Sequence, residues 1–105
     1  MTKIIVDVWN DHECWKCRQK SPIIDWKHET GEGALWLEDD NIGKQLQEKY
    51  SFYRKGYTRM TGTYYYANHC SQCGTIQGDW FVMEWIIQQR VEGNNPSSTI
   101  EMETV

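Results

Sequence analysis

Two Cys-x-x-Cys pairs, Cys14 with Cys17 and Cys70 with Cys73, use all four cysteines of this 105-residue chain. Each pair can form a tight turn, a knuckle, in which backbone N–H groups point at the sulfurs and both thiolates face one ion. Two knuckles together supply the four soft ligands of a tetrahedral metal site. The spacing therefore predicts one shared four-cysteine site, and the long stretch between the pairs must contain folded structure.

Zinc is the expected ion because it is the commoner structural metal, although an iron site would have the same spacing. A catalytic zinc keeps one position open for water or substrate, and four cysteines leave none, so this metal is expected to hold the fold together. His12 and His69 are interpreted as neighbours of the site or surface residues, not as ligands. A thioredoxin-like dithiol would need only one pair within a βαβ unit, and the chain shows no βαβ alternation.

The charge balance argues against a domain built mainly to neutralise phosphates. Fifteen acidic and eleven basic residues give a formal charge of −4, and four thiolates with one zinc would move it to about −6. The N-terminus does not have the pattern of a signal peptide, and no stretch approaches the roughly 20 apolar residues of a membrane span. We therefore expect a cytoplasmic location, where thiols stay reduced, and no membrane partner.

Hydrophobic patterning places the knuckles on hairpins. Residues 3–9 and 21–29 are predicted strands of a first hairpin with Cys14 and Cys17 at its tip. After a predicted helix with a stripe of Ile42, Leu46 and Tyr50, a second hairpin turns at residues 60–63 and delivers Cys70 and Cys73, and residues 74–77 form a short strand. Residues 79–90, with Asp79 as a candidate cap, favour a helix over a buried strand.

The predicted architecture is α+β: a small zinc-ribbon-like domain with two antiparallel hairpins, whose knuckles surround one metal, plus one or two helices. Residues 1–91 are predicted to form this single domain. Residues 92–105 are polar and acidic, and we expect them to form a mobile tail.

The segments "CWKC" and "ANHCSQCGTIQGD" resemble the double knuckle of small bacterial and phage zinc-ribbon proteins. The resemblance implies a zinc-ribbon fold with Cys14, Cys17, Cys70 and Cys73 as metal ligands. Arg18 departs from the pattern of these proteins, because the position after the second cysteine of the knuckle is often a glycine, which adopts the turn conformation more readily. The roles of such proteins vary, so the resemblance implies fold and metal more than activity.

A non-enzymatic interaction module is the first functional hypothesis: a small acidic accessory or regulatory protein, such as a phage-encoded inhibitor, that binds a protein partner. Trp15 lies inside the first knuckle, and tryptophan is frequent at interface hot spots. The alternative is that the ring packs over the metal and excludes water.

Single-stranded nucleic-acid binding is the second hypothesis. The segment 49–66 interleaves cations with aromatic rings, and rings that stack on bases beside cations are what single strands require. The alternative is that the rings form the core and the charges are solvated. The candidate partner-binding residues of this segment are Tyr53, Arg54, Lys55, Tyr57 and Arg59.

Catalysis is the least favoured hypothesis. The carboxylates of Asp7, Asp25, Asp39, Asp40 and Asp79 have no spacing tied to a known catalytic arrangement, and a solvated acidic surface explains them better. The sequence indicates neither an enzyme nor a small-molecule substrate.

Overall fold

The computed structural model describes residues 2–29, 40–59 and 62–104. The described elements, in chain order, are β1 (Thr2–Glu13), β2 (Lys20–His28), α1 (Asp40–Lys49), β3 (Tyr53–Thr58), β4 (Thr63–His69), β5 (Ile76–Gln77), α2 (Asp79–Val91) and β6 (Ser98–Thr104). They form two antiparallel three-stranded sheets, sheet A in the order β2-β1-β6 and sheet B in the order β3-β4-β5. The predicted α+β class is confirmed. Within these described ranges, no helix is long and apolar enough to cross a membrane.

The first hairpin consists of β1 and β2 and carries the first knuckle at its tip. Its strands pair from Ile4 opposite His28 to Glu13 opposite Lys20. β1 is longer than the predicted residues 3–9, because it continues through a bulge between Trp9 and His12. The bulge lets the strand bend while both ends of the hairpin stay paired.

The main core lies between sheet A, α1 and sheet B. The alternation of β1 turns Ile4 and Val6 towards this core, and both are fully buried. The helix stripe predicted from the sequence is confirmed, since Ile42 and Leu46 are buried and Tyr50 packs against them. The other buried members of the cluster are Ile24, Trp26 and Tyr53.

Gly43 lets α1 approach sheet B closely. A Cβ atom at this position would collide with the ring of Tyr66 on β4. Glycine weakens an exposed helix by about 0.5–1 kcal/mol relative to alanine, but here it makes room for a packed ring. The tertiary contact therefore explains a residue that the helix pattern alone disfavours.

Helix α2 packs on the opposite face of sheet A. Val82 and Ile86 contact Trp9 and Ile23 in a second buried cluster. Arg90 lies over the Trp9 ring, 5.7 Å from its centroid. The predicted helix at 79–90 is confirmed, but the predicted cap is wrong: the N-cap is Gly78, without a side-chain hydrogen bond, and Asp79 is the first helical residue.

The C-terminal residues that we expected to form a mobile tail contain a strand, β6. Residues 98–104 pair in register with β1, from Ser98 opposite Val8 to Thr104 opposite Thr2. Their alternation directs Ile100 and Met102 against the main core, while Glu101 and Glu103 stay exposed. These two apolar side chains and the ladder hydrogen bonds order a segment whose composition is mostly polar.

The Asn68 side chain joins the two sheets near the knuckles. Its Oδ1 accepts a hydrogen bond of 2.8 Å from Ile24 N–H, and its Nδ2 donates one of 2.9 Å to Ile24 C=O. The amide therefore satisfies the backbone of β2 as a neighbouring strand would. This bond fixes how the strand before the second knuckle lies against the first hairpin.

Candidate metal centre

The two knuckles have the same backbone structure. In the first, Arg18 N–H donates to Cys14 C=O at 3.0 Å; in the second, Gly74 N–H donates to Cys70 C=O at 2.9 Å. Arg18 and Gly74 both have positive φ, 63° and 76°. The departure noted in the sequence therefore does not change the turn, because Arg18 adopts the same left-handed conformation as Gly74 in the second knuckle.

The four cysteine sulfurs converge on one point. The Sγ atoms of Cys14 and Cys73 are 3.7 Å apart and those of Cys17 and Cys70 are 3.6 Å apart, with all four within 4.8 Å of one another. A tetrahedron with metal–sulfur distances of about 2.3 Å has edges of about 3.8 Å. The two predicted cysteine pairs, 56 positions apart in the sequence, thus lie together in the fold. Their geometry fits one metal ion.

Backbone N–H groups stabilise the buried thiolates. Cys14 Sγ accepts hydrogen bonds from the N–H groups of Lys16 and Cys17 at 3.3 and 3.4 Å, and Cys70 Sγ accepts the equivalent pair from Gln72 and Cys73. Burial opposes ionisation of Cys14 and Cys70, but these donors outweigh it and lower the pKa of both thiols.

The pKa of Cys17 shows that four neighbouring sulfurs are difficult to ionise together when no cation lies between them. The Gln19 N–H favours its thiolate, but burial and the neighbouring Cys70 raise the pKa of Cys17 to about 12. Four adjacent thiolates repel one another, and a divalent cation between them reverses that repulsion. The donor set therefore fits a bound metal better than four free thiols.

Gln77 and Thr75 form hydrogen bonds with the sulfurs that the sequence pattern did not predict. Gln77 is fully buried, and its Nε2 donates to Cys14 Sγ at 3.3 Å and to Thr75 C=O at 3.0 Å. A hydrogen bond of 3.3 Å joins Thr75 Oγ1 and Cys73 Sγ. Both residues lie just after the second knuckle, and that proximity was the available signal.

Trp15 connects the first knuckle to β5 and α2. Its Nε1–H donates to Ile76 C=O on β5 at 2.9 Å, and its ring stacks on Phe81 of α2 with centroids 6.4 Å apart. The ring is nevertheless 48% exposed. Trp15 and Phe81, which is 53% exposed, together form what we call the aromatic corner, beside the metal centre.

Both histidines near the knuckles are buried, and neither belongs to the ligand cluster. His12 packs edge-on against Trp85, with ring centroids 5.2 Å apart. His69 Nδ1 lies 3.0 Å from Ala67 C=O, and its ring covers Gly56 on β3. Their interpretation as neighbours of the site agrees with this placement, whereas a surface location does not.

The basic-aromatic segment does not form one surface. Tyr53 is buried, and its hydroxyl accepts a hydrogen bond from Trp26 Nε1, so its prediction as a partner-binding residue is wrong. Register places Lys55 and Tyr57 on one face of sheet B and Arg54 on the other. Arg59 is exposed in the turn after β3.

Two exposed tyrosines of that segment lie side by side. Tyr57 and Tyr64 lie directly opposite each other on β3 and β4, with ring centroids 5.3 Å apart, and both are exposed. On the same face, Lys55 Nζ lies 5.5 Å from the centroid of the Tyr66 ring. This smaller surface is what remains of the predicted nucleic-acid interface.

Comparisons with protein-family models, with curated proteins and with solved structures found no match in any of the three.

Proposed function

We propose that the protein is a non-enzymatic interaction module, stabilised by a structural zinc ion on Cys14, Cys17, Cys70 and Cys73, that binds a protein partner through the aromatic corner. The observation that carries the proposal is the position of Trp15. The ring is held by a hydrogen bond and a stacking contact next to a rigid knuckle, yet about half of it faces solvent. A rigid, exposed aromatic ring loses little conformational entropy on binding, which is the property of an interface hot spot.

A non-catalytic role is supported by how the acidic residues are used. Asp7 accepts a hydrogen bond of 2.8 Å from the Thr99 hydroxyl and one of 3.4 Å from Arg90, so it joins β1 to β6 and α2. Four cysteines would also fill the coordination sphere of the ion and leave no position for substrate. The role that fits best is that of a small acidic accessory or regulatory protein, in agreement with the resemblance to small zinc-ribbon proteins.

Single-stranded nucleic-acid binding is the second candidate function, favoured by the exposed Tyr57–Tyr64 pair with Lys55 on the same face. Stacking contributes about 1–3 kcal/mol per base, so two exposed rings would give weak binding that depends on salt. The split of Arg54 and Lys55 between two faces argues for the protein partner as the first candidate.

Affinity capture from a lysate of the source cells, with and without nuclease, distinguishes the two. We expect nuclease-resistant capture of one protein, lost with Phe81→Ala and retained with Tyr64→Ala. Both variants remove one exposed ring, but only the first removes part of the aromatic corner. Capture that requires nucleic acid and is lost with Tyr64→Ala would contradict the proposal in favour of the second candidate.

A further inference from the structure

Helix α2 carries a second apolar surface that faces away from the core. Trp80, Ile87 and Val91 are 61%, 54% and 76% exposed. At about 100° per residue they fall within an arc of about 40°, roughly 140° around the helix from the buried pair Val82 and Ile86. We call these three residues the α2 ridge. In the described part of the chain, no element covers it.

The ridge has the dimensions of an interface core. Its three side chains expose roughly 400 Å² along about 16 Å of helix, which is as large as the biggest apolar patch of an ordinary monomer. A standard interface buries about 800 Å² per partner, and a little over half of that area is apolar. The ridge therefore supplies the apolar half of one such interface, and the exposed Glu84 beside it can supply part of the polar rim.

The residue spacing along the ridge suits another helix. Positions 80, 84, 87 and 91 follow the alternation of four and three residues that lets two helices pack side chains into each other's grooves. Position 84 is the one charged member, and Glu84 lies at the edge of the arc, where its carboxylate can reach solvent.

We infer that the α2 ridge docks against the same ridge of a second copy of this chain, so that two α2 helices pack antiparallel about a two-fold axis. The ridge is self-complementary in this orientation, because Trp80 of each copy meets Val91 of the other and large side chains lie against small ones. A parallel arrangement would place the two Trp80 rings against each other. Antiparallel packing also brings the positive end of each helix dipole near the negative end of the other.

This inference goes beyond the proposed function and uses different residues. The aromatic corner points to the metal side of α2, with Phe81 about 80–120° around the helix from the ridge residues. A dimer formed through the ridge would leave both aromatic corners accessible. Each proposal can therefore fail without the other.

Analytical ultracentrifugation of the full metal-loaded chain over a range of concentrations tests the dimer. We expect a reversible dimer whose Kd rises at least about tenfold with Ile87→Asp, because pairing Trp80 with Val91 places residue 87 opposite Glu84 of the other copy, and the added carboxylates would repel those charges. The matched control is Gln88→Asp, which places the same charge one residue later and off the ridge; its Kd should stay within about threefold of the original. Circular dichroism and metal content confirm that each variant is folded.

Val91→Asp is the second test variant, since this residue is mostly exposed in the last turn of α2 and its substitution should not affect folding. It is expected to weaken the dimer as Ile87→Asp does. A chain that stays monomeric up to about 1 mM would overturn the inference. So would a dimer that both aspartate variants leave unchanged. A monomer that Ile87→Asp destabilises would also overturn it, because the ridge would then be covered by another part of the same chain.

Discussion

Gly74 and Arg18 occupy the same position in the two knuckles, directly after the second cysteine of each pair. Both have the left-handed backbone conformation, which costs a residue with a Cβ atom about 1 kcal/mol. The arginine shows that a side chain is tolerated at this position. Its exposed ion pair with Glu13, at 3.8 Å, contributes little to offset the cost.

Gly74→Ala is expected to lower the free energy of unfolding of the metal-loaded protein by about 1 kcal/mol. No described atom lies within 4 Å of the added Cβ, so the loss comes from the backbone conformation alone. Ser71→Ala is the control, because Ser71 is exposed in the same knuckle and does not have a positive φ. Denaturant unfolding of both variants checks the prediction, and an equal loss from both would contradict the backbone explanation.

At the scale of elements, β1 and β2 place Asp7 directly opposite Asp25. Loss of solvent around its carboxyl, and then repulsion by Asp7, raise the pKa of Asp25 above its usual range, although Arg90 and Lys27 partly oppose this. As pH rises from the unfolded pKa through the folded pKa, the unfolded chain releases this proton first. The free energy of unfolding therefore falls across that interval, and the loss persists at neutral pH.

Asp25→Asn is expected to stabilise the protein at neutral pH by about 0.2–0.5 kcal/mol and to remove this part of its pH dependence. The gain is small because the positive charges of Arg90 and Lys27 already offset part of the repulsion between the two carboxylates. Unfolding curves at pH 3 and pH 7 test this, with Asp11→Asn as a control that removes an exposed carboxylate from the neighbouring strand β1. A variant that is less stable than the original protein at pH 7 would show that the carboxylate makes a favourable contact.

The sequence predicted elements whose pattern is local and missed those that depend on distant partners. The strands of both hairpins, α1 and α2 have a clear period, and the structure confirms them. β6 was missed because its apolar residues, Ile100 and Met102, are diluted by polar neighbours and its pairing partner is about 90 residues away. Its period-two alternation was the only local signal.

The candidate site was predictable to a similar extent. Cysteine spacing predicted the four candidate ligands, and the structure shows that their sulfurs converge. The separation of Arg54 from Lys55 follows from the alternation of side chains along a strand. The burial of Tyr53 depends on its contact with Trp26, a residue 27 positions away, and cannot be obtained from composition. The exposed apolar residues of α2 gave only a weak signal in the sequence. Apolar residues on more than one side of a helix indicate that more than one side is covered.

At the scale of the whole molecule, the candidate metal centre lies where the first knuckle meets the second. The first knuckle belongs to sheet A and the second to sheet B. Among the described residues, the connections there include the hydrogen bonds of Trp15 to Ile76, of Gln77 to Cys14 Sγ and of Asn68 to Ile24. A domain of this size has about 5–15 kcal/mol of net stability, and structural zinc sites contribute roughly 10–16 kcal/mol of apparent binding free energy.

Removal of the metal by a chelator is therefore expected to unfold the domain, with loss of the near-UV circular dichroism of its packed tryptophans. Cys14→Ser and Cys73→Ser should destabilise it to a similar extent, although Cys14 is buried and Cys73 is exposed, because each removes one ligand of the same ion. If burial alone set the effect, Cys14→Ser would be far more damaging. Such a difference, or a near-UV spectrum unchanged by chelation, would show that packing holds the two knuckles together without a shared ion.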